Sequence, residues 1–361
     1  MSKSKTIIVG MSGGVDSSVS ALLLKEQGYN VKGLFMQNWQ NEADEECTSE
    51  IDFKDASAVC DLLDIPLHRA NFADEYWDKV FKEFLSEHEK GRTPNPDILC
   101  NREIKFKSFL DYALKIGADL IATGHYADLR EVNNHTHLVR AKDIDKDQTY
   151  FLHEVKEEEF KKCIFPLANL TKPEVREIAI KNNLSIAGKK DSVGICFIGE
   201  RNLKDFLNKF ITFKKGSIKD ESGNVIGEHQ GSILYTEGQR QGLHIGGVKG
   251  RDELPWYVYK KDILNNEISV CQGVNNQLLM NSALWLESIN FINEIDYKFP
   301  LDCSVQIRHQ HTPVDCQVTI ENNGYLITFA ENIRAIAPGQ SAVLYSKDIC
   351  LGGGVIAKTF K

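Results

Sequence analysis

Apolar positions along the first two hundred residues switch between two periods. Thr6-Ile7-Ile8-Val9 is a short β-rich run; Val15, Val19, Leu22 and Leu23 then recur along one helical face, and Gly28 closes that helix. Residues 31–36 read as a second strand, 51–63 as a helix, 67–72 as a third strand, and 74–90 as an amphipathic helix followed by Gly91. Phe106, Phe109, Leu110, Ala113 and Leu114 mark another helix ended by Gly117, and 119–123 a fourth strand. Strands separated by helices of this length build βαβ units, so the fold class is α/β with a parallel sheet covered on both faces. After Arg201 the helical period fades into β-rich runs with glycine turns, such as 231–235 and 256–259. From Gly273 the pattern is strand and turn: 303–307, 317–320, 325–329 and 342–345, with Asn323-Gly324 as a hairpin signal. The pattern predicts a parallel-sheet domain over 1–200, a small central domain over 201–272 and an antiparallel β-barrel over 273–361.

Composition narrows the class. The 361 residues are 42% apolar and 26% charged, which excludes disorder for the bulk of the chain. No stretch approaches a membrane span, and the start runs from Lys5 straight into a strand, so a cytoplasmic protein with no membrane partner is expected. A net charge of −8 weighs against a nucleic-acid partner. The charge is uneven, however: residues 41–55 hold seven acidic side chains and one lysine, whereas 201–215 hold five basic and one acidic. A polyanion can dock on such a local basic face. Nine cysteines without a C-x-x-C pair exclude a disulfide framework and a zinc knuckle. His135-x-His137 and His309-x-His311 have no third ligand at a useful spacing, so no zinc site is expected.

The sharpest local signal is Gly10-Met11-Ser12-Gly13-Gly14-Val15-Asp16-Ser17-Ser18, which follows a strand and opens a helix. Its backbone amides can converge on an anion, aided by the positive end of the helix. Ser17 and Ser18 can add hydroxyls, and Asp16 is a possible magnesium ligand. The Gly-Lys-Ser/Thr of a Walker loop is absent, and so is Gly-x-Gly-x-x-Gly. The segment resembles the PP-loop of ATP pyrophosphatases, which cleave ATP between its α and β phosphates. That resemblance implies that Gly10, Met11, Ser12, Gly13, Gly14, Val15, Asp16 and Ser17 carry ATP, that Met36 lines the adenine, and that Gly124 sits nearby.

Two cysteines have unusual surroundings. In Pro94-Asn95-Pro96-Asp97-Ile98-Leu99-Cys100-Asn101 the prolines stiffen the loop, and a helix begins near Asp97. Asp97 and Cys100 then share a helical face, with Cys100 in the first turn, where the helix dipole favours thiolate. A general base beside a sulfur nucleophile has this form; so has a capping aspartate with a buried cysteine. Cys196, in Gly194-Ile195-Cys196-Phe197-Ile198-Gly199, reads as a buried strand cysteine unless Lys189, Lys190 and Arg201 turn toward it.

Taken together, these segments closely resemble the bacterial tRNA-specific 2-thiouridylase family, MnmA. The likeness continues through Ala122-Thr123-Gly124-His125-Tyr126, Lys146-Asp147-Gln148-Thr149-Tyr150-Phe151-Leu152, Gly238-Gln239-Arg240, Ala337-Pro338-Gly339-Gln340-Ser341-Ala342 and Cys350-Leu351-Gly352-Gly353-Gly354. It implies ATP-dependent thiolation of the wobble uridine in the anticodon loop of tRNA, with magnesium, and a persulfide donor or relay protein as a further partner. It assigns Cys196 as the persulfide carrier, Cys100 as the partner nucleophile and Asp97 as candidate base. Asn95, Pro96 and Asp97 would meet the target base. His125, Lys146, Asp147, Gln148, Arg308, His309 and Gln340 would touch tRNA. Asp97, Cys100 and Cys196 could alternatively hold an iron–sulfur cluster. Another PP-loop ligase would need an ammonia source, and no glutaminase signature is visible.

Overall fold

The computed structural model describes residues 4–39, 48–191, 203–246 and 253–361. Its first sheet joins β1 (Thr6–Met11), β2 (Asn30–Gln37), β3 (Leu67–Asn71) and β4 (Leu120–Ala122). A hairpin follows, β5 (Asp128–Val132) and β6 (His135–Val139), and then β7 (Cys163–Ile164) completes the sheet. The strand order is β3-β2-β1-β4-β7, all parallel, so the order reverses between β1 and β4. Alternate residues of β1 serve opposite cores: Ile7 and Val9 pack beneath α1 (Val15–Glu26) and α2 (Thr48–Leu62), whereas Ile8 packs with Phe106 and Phe109 on the other face. A strand buried on both faces has to be apolar throughout, which is why 6–9 carries no alternation. The helical runs 73–89 and 96–115 each contain a π-type stretch, at Trp77–Phe81 and Cys100–Phe109.

The central segment forms a four-stranded sheet from β8 (Gly216–Lys219), β9 (Val225–His229), β10 (Trp256–Asp262) and β11 (Glu267–Gln272), in the order β10-β11-β8-β9. The run 231–235, expected as a strand, is instead a single 3-10 turn over Ser232–Leu234. The Leu234 amide bonds Gly231 O and the Tyr235 amide bonds Ser232 O, so the segment closes on itself rather than pairing with a neighbour.

The last segment is a closed antiparallel barrel. Its strands are β12 (Met280–Leu286), β13 (Asn290–Phe291), β14 (Leu301–Gln306), β15 (Val314–Glu321), β16 (Gly324–Arg334), β17 (Ser341–Ser346) and β18 (Ile349–Phe360). The path β12-β16-β15-β14-β17-β18 is closed by β12–β18 pairing, with β13 as an appendage on β18. The expected hairpin is present one residue early. Glu321 pairs with Gly324, so Asn322 and Asn323 are the central residues, both with positive φ (53° and 60°). Asparagine tolerates this conformation better than most residues.

The segments are not separate bodies. The hairpin β5–β6 pairs with β18 through Val139↔Ile349 and Leu138↔Cys350. One continuous core includes Ile8 and Phe106 from the first segment, Phe206 and Leu207 from the second, and Val343 and Tyr345 from the barrel. No described helix is long and apolar enough to cross a membrane. Glu157 ties the hairpin to the barrel: it accepts from the Thr136 amide (3.0 Å), Asn293 Nδ2 (2.9 Å) and Lys161 Nζ (3.1 Å), and pairs with His135 Nδ1 (2.9 Å). Burial opposes ionisation there, but these partners win and bring the Glu157 carboxyl to about 2. Because the folded value lies below the unfolded one, this contribution is complete above about pH 4.5 and is lost as pH falls toward about 2. Glu157→Gln should therefore cost about 2 kcal/mol at neutral pH and only a few tenths, about 0.4 kcal/mol, at about pH 2, read from denaturant midpoints across that range.

Candidate active site

Ligand sites in open parallel sheets lie beyond the strand C-termini where the order reverses. The loop after β1 is the glycine loop, and the loop after β4 carries Thr123 to Tyr126, so the two flank the reversal between β1 and β4. Gly13 has φ +72°, and a Cβ there would lie 2.3 Å from Asp52 O, so only glycine fits this turn against α2. Gly14 precedes the first residue of α1 and no side chain caps the helix, leaving its first amides facing the loop. A Cβ on Gly124 would come within 2.8 Å of the Ser17 amide, so β4 and α1 meet at backbone distance. Met36 lies against Gly10, beside Phe109.

The hydroxyls expected to reach an anion are turned inward. Ser18 Oγ donates to Gly14 O (2.8 Å), and Ser17 Oγ bridges the Ser12 amide (3.2 Å), Ser12 Oγ (3.1 Å) and Gly14 O (3.2 Å). They shape the loop and do not project from it. Met11 and Val15 are core residues, so only their backbone is available to a ligand.

Asp16 also departs from expectation. Both its oxygens lie on Lys172 Nζ (2.7 and 2.9 Å), and Tyr126 OH donates to one of them (3.0 Å). Lys172 in turn pairs with Asp191 (2.7 Å), which also receives Lys146 (3.0 Å) and Arg176 (2.9 Å). Burial works against the Asp191 carboxyl, but Lys172 and Lys146 hold it below the usual range. Lys189 donates to Gly13 O (3.0 Å) and pairs with Asp52 and Asp55. The donor set at Asp16 thus fits an ammonium, and a magnesium ion ligated there would have to displace it. Lys172 was missed in the sequence. Its signal was the capping box Thr171-Lys172-Pro173-Glu174, which starts a helix and so delivers Lys172 to the loop.

The second cluster surrounds Asp97. Asn95 caps the 96–115 run, its Oδ1 accepting from the Asp97 amide (3.2 Å), with Pro96 at the first helical position. Cys100 is the fifth residue of that run, its amide already bonded to Pro96 O, so it sits one step beyond the expected first turn. Its side chain is buried in the core with Ile98 and Ile104. Burial raises the Asp97 carboxyl, while Lys105 and His309 oppose the rise. His125 is buried, with Nδ1 2.7 Å from Thr123 Oγ1 and Nε2 3.5 Å from Lys105 Nζ; burial, helped by Lys105, pushes it well below the usual histidine range. Consecutive residues thus face two clusters, His125 toward Lys105 and Tyr126 toward Asp16.

The seven residues expected to touch tRNA all have partners within the protein, and all but the buried His125 and Asp147 are partly exposed. Lys146, Gln148 and His309 are partly exposed, and His309 lies against Phe151 (4.4 Å). Asp147 is buried, accepting from the Ala141 amide (3.0 Å) and Thr149 Oγ1 (2.6 Å). Arg308 gives its Nη2 to Glu237 O (2.9 Å) and Ala335 O (2.7 Å), and Gln340 gives its Nε2 to Thr93 O (2.7 Å). Cys196, and with it the third ligand of the expected iron–sulfur site, lies outside the described residues. Among the described residues no three His, Cys, Asp or Glu side chains converge as a metal site.

Three family profiles match in succession: a tRNA methyl transferase HUP domain over residues 5–200, a tRNA methyl transferase PRC-barrel domain over 204–272 and an aminomethyltransferase beta-barrel domain over 281–356. The tRNA-specific 2-thiouridylase MnmA of Pseudomonas fluorescens is 54% identical over 353 residues, 98% of this chain and 94% of its own. The protein of the same description from Stutzerimonas stutzeri is 53% identical over 351 residues, 97% of this chain and 94% of its own. A solved U34-tRNA thiolase NcsA from Methanococcus maripaludis aligns with 57% of this chain and 67% of its own at 21% identity, with a TM-score of 0.36, too distant to carry any argument. If Lys172 is the cation of the glycine loop, Lys172→Met should weaken binding of ATP at least tenfold by calorimetry, while Lys142→Met, whose ammonium pairs with exposed Glu174, should not change it.

Proposed function

The chain belongs to the MnmA family of tRNA-specific 2-thiouridylases, and from that premise we propose that it adenylates the carbon-2 oxygen of the tRNA wobble uridine and then replaces that oxygen with sulfur. It is a tRNA-uridine 2-sulfurtransferase of the PP-loop type. The observation that carries the reading is the glycine loop at the strand-order reversal, closed against α2 at Gly13 and tied to Lys172 through Asp16.

ATP occupies the loop from Gly10 to Ser17, with Met36 and Gly124 beside it. The uridine leaves its stack in the anticodon loop, where unstacking is cheap, and meets Asn95, Pro96 and Asp97. Asp97 takes the ring proton. The carbon-2 oxygen then attacks the α phosphate, and the bond to the β phosphate breaks with its electron pair on pyrophosphate. Lys172 and the amides of α1 offset the charge on that leaving group. The terminal sulfur of a Cys196 persulfide attacks carbon-2, and AMP departs with the oxygen. Cys100 closes a disulfide with Cys196, releasing the thiolated base, and a thiol reductant reopens it. Magnesium, when bound, would supply further positive charge to the triphosphate; Asp16, held by Lys172, would have to give up that partner to ligate it.

Burial keeps Asp97 protonated to a higher pH than an ordinary carboxyl, so the acid limb of the rate should lie above about pH 4. Asp97→Asn should lower the rate by about a hundredfold or more and remove that limb. The direct test incubates tRNA with ATP and a persulfide donor and reads its nucleosides by mass spectrometry. Wild type should yield 2-thiouridine with stoichiometric AMP and pyrophosphate, and Cys100→Ser and Cys196→Ser should yield none. Thiolation without AMP, or full activity in Cys196→Ser, would exclude this chemistry. Binding of tRNA to a net acidic protein requires a local basic face, so affinity should fall about tenfold or more between about 50 and 200 mM salt.

A further inference from the structure

The segment before Asn95 has little freedom of its own. The Thr93 amide donates to Pro338 O (3.0 Å), and Thr93 O accepts from Gln340 Nε2 (2.7 Å), so both its peptide groups belong to the barrel loop 338–340. Thr93 Oγ1 lies 3.0 Å from Thr236 Oγ1 of the central segment. Gly91 O accepts from Lys261 Nζ on β10. Contact is close at both ends: a Cβ on Gly91 would fall 2.2 Å from the Ile263 side chain, and one on Gly339 would fall 2.6 Å from the Thr93 amide nitrogen. Behind this junction Arg308 bonds both Glu237 O and Ala335 O, which locks the central segment to the barrel. Pro94 and Pro96 then leave few backbone torsions between Thr93 and Asp97.

We propose that the central segment and the barrel brace the target-base loop, and that Lys261 is a positioning residue that sets Asn95 and Asp97 through Gly91 and Thr93. This rests on the function proposed above. Lys261 touches neither ATP nor the reacting base; it acts through the loop. Its ammonium is costly to hold there, since burial lowers it to about 8 with Glu237 as the compensating charge. A neutral side chain would pack at lower cost, so the cation is kept for the carbonyl it holds. Displacing reactive groups by about an ångström can cost about a hundredfold in rate, so an effect on turnover is expected without an effect on binding.

The test compares Lys261→Met, the paired Lys261→Met/Glu237→Gln that removes both charges of the Lys261–Glu237 pair, and the isosteric Thr236→Val, which loses only the hydroxyl contact with Thr93. Turnover, tRNA Kd, KM for ATP, melting temperature and hydrogen exchange over residues 91–97 are measured on each. The brace requires at least a tenfold fall in kcat for the Lys261 variants and a smaller one for Thr236→Val. Kd and KM should stay within twofold, and exchange at 91–97 should quicken. A folded paired variant with wild-type kcat and exchange overturns it, as does a rise in tRNA Kd at constant kcat, which would make the junction an RNA contact. Should the Lys261 variants fail to fold, unchanged kcat and exchange in Thr236→Val overturns it. If wild type itself makes no 2-thiouridine, the proposed function fails, and the exchange data alone judge the brace.

Discussion

Asp16 opens the helix whose positive end would receive a phosphate, so its negative charge has to be matched before any anion can approach. Lys172 does this with one ammonium shared between Asp16 and Asp191, the shortest contacts being 2.7 Å to each. Around that ammonium the rest of the crevice is ordered. Tyr126 reaches Asp16 from the β4 loop, Lys146 and Arg176 reach Asp191, and Lys189 bonds the carbonyl of Gly13. With Lys189 go its partners Asp52 and Asp55, so four cations here meet four carboxylates and the loop's acidic side chains are matched in charge.

Much of the scaffold was legible because both faces of a parallel sheet must be apolar and barrel strands must alternate. The β1–β4 strands and the helices between them follow directly from that requirement. The 231–235 run looked like a strand because Ile233, Leu234 and Tyr235 are β-formers, yet local hydrogen bonds decided otherwise. The hairpin β5–β6 was not read, since its exposed strand carries charged residues and its pairing partner lies more than two hundred residues away in β18.

The site was legible in its loops and obscure in its pairings. Strand–glycine–helix spacing locates an anion-facing turn, and two prolines locate a stiff loop. Lys172 could not be seen, because an ion pair between residues 16 and 172 leaves no trace in local periodicity. Arg308 and Gln340 stand out in the sequence as polar residues of the barrel segment, and their bonds to Glu237 O, Ala335 O and Thr93 O could not be read there.

The account's central claim is that AMP, and no other phosphate species, carries away the oxygen that sulfur replaces. Transfer RNA whose wobble uridine bears ¹⁸O at carbon-2 tests this most directly, with the products analysed by mass spectrometry after a single turnover. The account requires the label in AMP, in a one-to-one ratio with 2-thiouridine, and pyrophosphate without it. Label in inorganic phosphate, in pyrophosphate or in water would contradict it.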